Sequence, residues 1–404
     1  MTNPVTLTDR SRQITYQDCP RERYLGYHHP TPLGRIGLRK TRLNIPLATG
    51  IYTHLGLADL LRGLPVDEAV KHATDEYWTE IQRRGIQVQT GEDGAYVAVE
   101  QTAWVEAALR AYALVRLPQL LAEYEVVDVE REMDLPLDEG LIMMSRRDAL
   151  LRHRETGELV IQSYKTAAAY DERTARQGEH DVQGLSEMAA ADYRGEERIS
   201  AIRMEYLIKG PRREYPKDSG HWEQYSPLIR GYAKPGITSA DDKYGWKRDF
   251  TGADGKDRRL DYRTWMAFHV WQAAGGVKAW IELLASGQVQ PEAGDCLSEQ
   301  FVIPQLYYRQ DDDLRDWYEQ TTAQELGIVQ ALNREPHLNS AAHRNWLNTN
   351  FPQHRQNCDY PGPCQFTDIC FSTNLRQDPL GSGLYQPRVP HHEQELVQIT
   401  GETK

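Results

Sequence analysis

The alternation of hydrophobic and polar positions is clearest in the middle of the chain, between residues 119 and 210. An alternating run, YEVVDVERE, is followed by two apolar segments that a turn at 155–158 joins, and a β-branched run begins near Ile199. Period-two patterns bounded by turn residues predict strands, whereas the stretch 176–193 has helical spacing. The pattern therefore predicts a β-rich core in the order strand, hairpin, helix, strand.

The pattern along the whole chain predicts an α/β fold in the core and an α+β organisation overall. No low-complexity linker and no internal repeat divides the chain. We expect an N-terminal arm (1–48), a helical segment (49–118), the core (119–210), an insertion loop (211–265), a second helical segment (266–345), a cysteine segment (346–375) and a loosely ordered tail (376–404).

Composition and charge place the chain among globular proteins. Of its 404 residues, 40% are hydrophobic, which is enough for a sizeable core. The net charge is -12, so a nucleic acid would have to be held by local basic clusters. No apolar run reaches the roughly 18 residues of a membrane span, and the first residues lack the apolar stretch of a secretory signal. We therefore expect a soluble, cytoplasmic protein without a membrane partner.

Five cysteines are the first candidates for metal chemistry. Cys358, Cys364 and Cys370 are separated by five residues each, and turn-forming residues between the first two favour convergence of the thiols. Thiolates bind zinc or an iron–sulfur cluster, but the spacing is wider than zinc ligands usually have. The alternative is unrelated buried cysteines, because free cysteine is commonly buried. Cys19 lies far upstream, and Cys296 has no partner pattern, so we interpret Cys296 as structural.

Charged residues on the predicted hairpin form a second candidate site. Asp148 lies on its first strand and Lys165 on its second, with Ser163 on the same strand face as the lysine. A carboxylate and a lysine on adjacent strands can hold Mg²⁺ and activate water for phosphodiester hydrolysis. The alternative is an ordinary surface ion pair.

Basic residues near aromatic ones are candidates for contact with phosphates and bases of single-stranded DNA. A solvated charged surface is the alternative interpretation. The candidates are Arg35, Arg39, Lys40, Arg42, Arg146, Arg147, Lys209, Arg212 and Arg213.

The order of these features resembles the PD-(D/E)XK nuclease superfamily, in its RecB/AddB-like branch with a four-cysteine iron–sulfur cluster. That branch includes CRISPR-adaptation nucleases and many phage exonucleases. Its CP-(R/K)-x-(R/Y)-Y motif is matched by Cys19 to Tyr24, and its other three cysteines follow the core, as they do here. Its G-x-x-x-H helix is matched by Gly50 to His54, and its aspartate, strand lysine and helix glutamine by Asp148, Lys165 and Gln183. The similarity covers roughly residues 14 to 371.

The resemblance implies a restriction-endonuclease-like core, with a mixed central sheet flanked by helices, whose terminal segments are joined at an iron–sulfur cluster. It implies a [4Fe-4S] cluster, with zinc as the alternative, and a catalytic Mg²⁺ or Mn²⁺ ion. Lys165 would polarise the attacking water or the phosphate, and Gln183 would position the lysine or the scissile strand. The implied ligands are Cys19, Cys358, Cys364 and Cys370 for the cluster, and Asp148, His54 and a helix glutamate for the catalytic ion.

Two positions depart from the family pattern. Ser163 stands where a second acidic residue is expected, and Glu187 stands where a tyrosine is expected. A serine hydroxyl is a poor substitute for a carboxylate ligand of Mg²⁺. If the following segment is one continuous helix, Glu179, Gln183 and Glu187 share a face, and either glutamate would supply the missing carboxylate. The alternatives are a solvated helix face and, for His54, a packing role.

We therefore expect a metal-dependent DNA nuclease, specifically an exonuclease, of a bacterial or phage-infected cell. Its substrate would be single-stranded DNA or DNA with single-stranded ends, and a helicase or recombination protein is a candidate partner. The competing hypothesis is a catalytically degenerate member of the superfamily that acts as a DNA-binding or assembly subunit. A third hypothesis is a zinc-stabilised RNA-processing protein.

Overall fold

The computed structural model describes most of the core and both terminal segments. The described residues are 6–83, 92–167, 170, 172–179, 182–208, 249–251, 257–259, 275–285, 301–359, 363–390, 392 and 395. Most of the 211–265 insertion lies outside them, as do Lys209, Arg212, Arg213 and Cys296.

Helices and strands alternate along the described ranges. The strands are β1 Thr6–Asp9, β2 Leu38–Lys40, β3 Tyr124–Asp138, β4 Leu141–His153, β5 Leu159–Ala167, β6 Ile199–Ile208, β7 Asp249–Thr251, β8 Asp257–Arg259, β9 Phe301–Val302, β10 Tyr307–Tyr308 and β11 Tyr385–Pro387. The helices are α1 Arg10–Asp18, α2 Pro20–Tyr27, α3 Ile45–Leu61, α4 Val66–Arg83, α5 Glu92–Val115, α6 Leu117–Glu123, α7 Glu172–Glu179, α8 Val182–Tyr193, α9 Val277–Ala285, α10 Asp311–Leu332, α11 Ala341–Asn350, α12 Thr367–Phe371 and α13 Thr373–Gln377. A short 3-10 helix covers Arg355–Asn357.

The central sheet is mixed, and β4 organises it. Strand β3 pairs with one edge of β4 from end to end, so β1 and β5 share the other edge. Strand β1 runs parallel to residues 141–144, and β5 runs antiparallel to residues 149–152. Strand β6 is parallel to β5, and α7 and α8 make the crossover that parallel strands require. The predicted order of strand, hairpin, helix and strand is confirmed.

Helices cover both faces of this sheet. One apolar cluster joins α3, α4 and α5 to the sheet and includes Leu57, Leu109 and Tyr164. A second cluster joins α8 and α10 to the opposite face and includes Met143 and Trp317. The mixed central sheet flanked by helices, expected from the sequence, is therefore confirmed.

The two ends of the chain form a third packed unit. Its apolar cluster contains Tyr24 and Leu38 from the N-terminal arm, and Phe351, Phe366 and Tyr385 from the C-terminal region. Strand β2 pairs antiparallel with β11 across more than 340 positions of sequence, joining Lys40 to Tyr385 and Leu38 to Pro387. Burial of aromatic side chains from both ends supplies the free energy that holds this unit together.

Two expectations about the C-terminal half are wrong. Residues 376–390 do not form a loosely ordered tail, because Tyr385 is 2% exposed and stacks on Phe366, and its hydroxyl donates to the Gln365 carbonyl at 2.8 Å. The segment 266–345 is not wholly helical, because β9 and β10 both pair with β6. Strands of two residues are too short to give a period-two signal.

None of the described helices is long and apolar enough to cross a lipid bilayer.

Candidate functional site

The candidate active site is centred where β4 and β5 separate. Their pairing runs from Arg152 opposite Leu159 to Ala149 opposite Gln162, and then stops. Asp148 is the next residue of β4, and the Tyr164 amide of β5 donates a hydrogen bond of 2.8 Å to its carboxylate. The side chain of Asp148 thus replaces the strand partner that β5 loses at this point. Because the backbone itself fixes the carboxylate, its position follows directly from the sheet topology.

Helix α3 brings His54 to this carboxylate. A side chain at Gly56 would place its Cβ 2.3 Å from Leu109 Cδ1, so only glycine lets α3 lie this close to α5. The Nδ1 atom of His54 lies 3.5 Å from Asp148 Oδ1, and its imidazole is 29% exposed. The ring also makes an edge contact with Tyr164. The sequence-predicted pair of His54 and Asp148 is therefore brought together.

The environment of Asp148 favours its charged form. Burial acts to raise the pKa of Asp148, but the nearby His54, the positive charge of Lys165 and the Tyr164 amide outweigh it, and the pKa is lowered. The carboxylate is therefore ionised at neutral pH. An ionised carboxylate is what a hard divalent cation requires as a ligand.

Lys165 is held by Gln183. On β5, Lys165 lies on the same face as Ile161 and Ser163, the face that α8 covers. Its Nζ donates a hydrogen bond of 2.6 Å to Gln183 Oε1. A Cβ at Gly184 would lie 1.8 Å from Ile202 Cδ1, so α8 rests directly on β6 at the residue after Gln183. This close approach sets the height of Gln183 above the sheet.

The two positions that depart from the family pattern are both buried. Ser163 is 2% exposed, and its hydroxyl has no hydrogen-bond partner within the described part of the chain. Glu187 is 0% exposed, so it does not lie on a solvated helix face. Near it, the hydroxyls of Ser145 and Ser186 lie 3.1 Å apart. Polar side chains of α8 and β4 therefore meet at this point of an otherwise apolar helix–sheet contact.

The predicted continuous helix face is wrong. Helix α7 ends at Glu179 and a new helix, α8, begins at Val182, so Glu179 does not share a helix with Gln183 and Glu187. The sequence places Gly178 just before this break, and glycine is a weak helix former. The side chain of Glu179 lies outside the described part of the structure.

Glu130 is an acidic residue of this site that the sequence did not single out. The pairs Val129–Ala149 and Arg131–Arg147 place it opposite Asp148. Its φ of 54° lies in the left-handed region, which non-glycine residues rarely adopt within a strand. Its Oε2 lies 3.0 Å from Arg146 Nε. The available signal was a run of three polar residues, 130–132, which interrupts the alternation of β3.

Burial raises the pKa of Glu130, the positive charge of Arg146 opposes this, and the negative charge of Asp148 adds to the increase. The negative charges of the two carboxylates therefore repel each other, and a cation bound between them would reduce this repulsion. Together with His54, Glu130 and Asp148 offer the oxygen and imidazole donors that suit Mg²⁺ or Mn²⁺. No group of three His, Cys, Asp or Glu side chains within the described ranges is already arranged at metal-binding distances.

The cysteines occupy the terminal unit. Cys19 lies between α1 and α2, and Cys358 follows the 3-10 helix. Cys364 precedes α12, and Cys370 lies within it. All four are free and partly buried. The amide of Cys364 donates to the Cys358 carbonyl at 2.7 Å, and the amide of Phe366 donates to Cys364 Sγ at 3.5 Å.

Polar contacts hold the Cys19 segment against the C-terminal one. The Asp18 carbonyl accepts hydrogen bonds from the His354 ring at 2.9 Å and from the Asn357 amide at 2.6 Å. The buried guanidinium of Arg21 donates to the carbonyls of Phe351 and Leu347. The motif around Cys19 therefore has a docking role that does not depend on a metal.

The thiols also influence one another. Burial raises the pKa of Cys358 and Cys370, and the thiol of Cys19 contributes to both increases. Burial likewise raises the pKa of Cys364 to about 12, with smaller contributions from Glu22 and Cys370. Four soft donors in one electrostatic neighbourhood suit a cluster or a zinc ion, whose positive charge would offset the cost of forming thiolates.

Among the described residues, the basic candidates do not all lie on one exposed surface. Arg147 is fully buried, and its guanidinium bonds Asp128 at 2.8 Å and Glu196 at 3.2 Å, so its expected role in contacting DNA is wrong. Its burial follows from the β4 alternation, which turns it toward the protein interior. Other candidates pair with acids: Arg35 with Glu335, Lys40 with Asp368 and Arg146 with Glu130. Arg39 lies on β2, and Arg42 is exposed just beyond it.

Searches for known relatives give no family assignment. No protein-family model matches this chain, and no curated protein is similar enough in sequence to count as a relative.

Proposed function

We propose that this protein is a metal-dependent nuclease that hydrolyses DNA phosphodiester bonds. The observation that carries the proposal is the ionised carboxylate of Asp148 at the fork between β4 and β5, with His54 at 3.5 Å and a lysine fixed by Gln183 on the neighbouring strand. An acidic donor, an imidazole and an oriented lysine are a combination suited to cation binding and phosphate polarisation. As part of the same proposal, the core is restriction-endonuclease-like.

Asp148, His54 and Glu130 would hold a Mg²⁺ or Mn²⁺ ion. When bound, the ion lowers the pKa of a water molecule and polarises the phosphate. Lys165 stabilises negative charge on the phosphate or the attacking oxygen, and Gln183 keeps its ammonium in place. The ionised carboxylates alone would repel DNA, so cation binding and substrate binding are coupled.

We assign the role of the missing motif acid to Glu130 rather than to Glu187. Glu130 keeps 21% of its side chain exposed and lies opposite Asp148 in the β3–β4 ladder. Glu187 is completely buried beneath α8, where a hydrated cation and a DNA strand have no access.

The four cysteines would bind a structural [4Fe-4S] cluster, with zinc as the alternative. Their positions at both ends of the chain support a role in joining the termini rather than in catalysis. Anaerobic purification followed by visible spectroscopy and iron and zinc analysis tests this assignment. A colourless protein that carries stoichiometric zinc would exclude the iron–sulfur version.

Cleavage of labelled single- and double-stranded DNA with Mn²⁺ or Mg²⁺ tests the catalytic proposal. The wild type should cut linear DNA and spare circular DNA if it is an exonuclease. Asp148→Asn and Lys165→Ala should each reduce cleavage by about a hundredfold or more. Lys71→Ala, which removes a lysine of α4 whose side chain is 75% exposed, is the matched control and should behave as the wild type. Cleavage that persists in the Lys165→Ala protein would indicate a contaminating nuclease.

The second candidate function is a non-catalytic DNA-binding or assembly subunit. The observation that favours it is Ser163, whose buried hydroxyl replaces an expected carboxylate. Saturable DNA binding by the wild type without cleavage in either metal would support this function and exclude the first. The same assays with RNA substrates test the RNA-processing hypothesis.

A further inference from the structure

A cavity of about 430 Å³ opens in the terminal unit, between α2, the start of α11 and the segment that contains α12 and α13. Cavities of about 300–1,000 Å³ are the usual size for small-molecule sites. Its apolar wall includes Tyr24, Leu347 and Ile369. The cavity shares no residue with the proposed metal site around Asp148.

The charge of the cavity is one-sided. Arg21, Arg344, Arg355 and Arg376 line it, and none of its described lining residues is acidic. Within the described ranges, no carboxylate lies within 4.0 Å of any of these four guanidinium groups, whereas other arginines of this acidic protein, such as Arg147, are paired. Arg21 and Arg376 lie beside Cys370, which also lines the cavity and whose thiol would carry negative charge in the proposed cluster, whereas Arg344 and Arg355 are exposed cations that favour an anionic ligand.

Arg21 and Arg376 are the more buried arginines of the cavity. Arg21 is 5% exposed, and its guanidinium donates to the carbonyls of Phe351 and Leu347 and to Asn348 Oδ1. The Nε of Arg376 is buried without a hydrogen-bond partner among the described residues. An oxyanion bound in the cavity would accept a hydrogen bond from this unused donor.

Two further features indicate the chemistry of the ligand. The N-terminus of α11 contributes Asn339 and Ser340 to the lining, and helix N-termini favour phosphate. Phe371 lines the cavity with 54% of its surface exposed, and the Arg355 guanidinium lies 5.7 Å from the centre of its ring. An exposed aromatic ring beside an arginine is a platform on which a nucleobase stacks.

We propose that this cavity binds one nucleotide unit, with its phosphate held by the four arginines and its base against Phe371. The unit is either a free mononucleotide or the terminal nucleotide of a strand. The proposal goes beyond the nuclease function and does not depend on it, because binding is measured without catalytic metal.

Isothermal titration calorimetry in phosphate-free buffer with a chelator tests the proposal. The ligands are inorganic phosphate, a deoxynucleoside 5′-monophosphate, the matching nucleoside, and oligonucleotides with a 5′-phosphate, a 3′-phosphate or neither. The wild type should bind the monophosphate and not the nucleoside. A preference for a terminally phosphorylated oligonucleotide over the free monophosphate identifies a strand end as the source, and the reverse preference identifies a free nucleotide.

The decisive variant is the double substitution Arg344→Gln and Arg355→Gln, because both side chains are exposed at the cavity and neither supports the fold. It should weaken monophosphate binding by about tenfold or more, as expected for the loss of charge-assisted hydrogen bonds. Arg334→Gln, which removes an exposed arginine outside the cavity, is the matched control and should bind as the wild type. Equal thermal unfolding temperatures of the three proteins confirm that all are folded.

Two results would overturn the proposal. One is the absence of saturable binding of any phosphorylated ligand to the wild type. The other is equal monophosphate affinity in the wild type and in the double variant. Cleavage of DNA is not part of this measurement, so its failure and that of the nuclease function are separable.

Discussion

At the scale of single residues, the site depends on two hydrogen bonds that orient its charged groups. The Tyr164 amide fixes Asp148, and the Gln183 carboxamide fixes Lys165. Neither bond is local in sequence, since each joins residues on different elements. The bond to Lys165 joins two side chains, so a substitution of Gln183 removes it without deleting the charged group that it holds.

Gln183→Ala should lower the cleavage rate by about 10- to 100-fold, because the Lys165 ammonium loses the partner that positions it. Gln183→Glu keeps an acceptor for the lysine and should recover part of the rate. If the role is positional, the maximal rate falls in single-turnover cleavage while DNA affinity is unchanged. An equal loss in both variants, with weaker DNA binding, would contradict the positioning role.

Glu130→Gln should raise the Mn²⁺ concentration needed for half-maximal cleavage by about tenfold or more, since it removes a proposed ligand. Glu187→Gln, at the buried alternative, should leave the metal requirement close to that of the wild type. Glu125→Gln, at an exposed position of the same strand, is the control. A higher Mn²⁺ requirement in the Glu187 variant alone would assign the role of the missing carboxylate to Glu187 of α8.

At the scale of elements, glycines determine how closely two helices approach their neighbours, α8 the sheet and α3 the helix α5. Gly184 lets α8 rest on Ile202, and Gly56 lets α3 rest on Leu109. Because Gln183 and His54 lie beside these contacts, the helix positions decide the geometry of the site. A methyl group at either glycine would lift the helix and its functional side chain together.

Gly184→Ala should destabilise the protein by about 1–3 kcal/mol, the usual cost of overpacking, and should reduce cleavage with it. Ile202→Ala in the same chain removes the clashing atoms and should restore part of both. Denaturant unfolding of the two single variants and the double variant measures the coupling. Gly327→Ala in α10 is the matched control, because a Cβ at this position meets no atom within 4 Å. This substitution should be neutral or slightly stabilising. Additive effects of the two substitutions would contradict the steric explanation.

At the scale of the whole molecule, buried ion pairs tie the terminal segments to the core. Arg12, Arg23 and Arg388 all lie within 5.6 Å of the centre of the Tyr27 ring. Asp9 lies beside Arg12, with 3.1 Å between Oδ2 and Nε. Further pairs connect Arg23 to Glu325 of α10 and Arg388 to Glu395 near the end of the chain. Breaking one partner leaves an uncompensated charge in the interior.

Asp9→Asn should cost about 2 kcal/mol of unfolding free energy at neutral pH, since the amide can still cap α1 but Arg12 keeps only one of its two carboxylate partners, that of Glu395. Burial acts to raise the pKa of Asp9, but Arg12 and Arg23 outweigh it and lower the pKa. A lowered folded-state pKa stabilises the fold above the unfolded value of about 3.9, and the benefit disappears as pH falls from there through the folded value. Urea unfolding from pH 7 to pH 3 should therefore show a constant difference from the wild type that shrinks only below about pH 4. A difference that shrinks between pH 7 and pH 5 would contradict this origin.

Loss of the proposed cluster should unfold the terminal unit and not only slow cleavage. The reason is that the cluster would close a loop between Cys19 and Cys358. Cys358→Ser should lose metal and become sensitive to limited proteolysis in residues 346–390, with the core fragment intact. Cys296→Ser is the matched control and should retain the metal content and protease resistance of the wild type. Equal protease resistance in the Cys358→Ser protein would show that the docking contacts of Arg21 suffice without metal.

The sequence by itself determined the four central strands, β3 to β6, and the identities of the main charged groups except Glu130. Alternation predicted β3, and apolar or β-branched runs predicted β4, β5 and β6, whose side chains are mostly buried. The hairpin placed Asp148 and Lys165 on adjacent strands. These features depend on local patterns, which the order of residues records directly.

Only the tertiary structure decided which of the polar residues share a site. Glu130 lies opposite Asp148 because of strand register and an unusual φ, and Arg147 finds its partners in Asp128 of β3 and in Glu196, which is distant in sequence. The cavity arginines come from segments more than 300 positions apart, brought together by aromatic packing of the two chain ends. Contacts of this kind depend on long-range pairing, which no local pattern of hydrophobic and polar residues specifies.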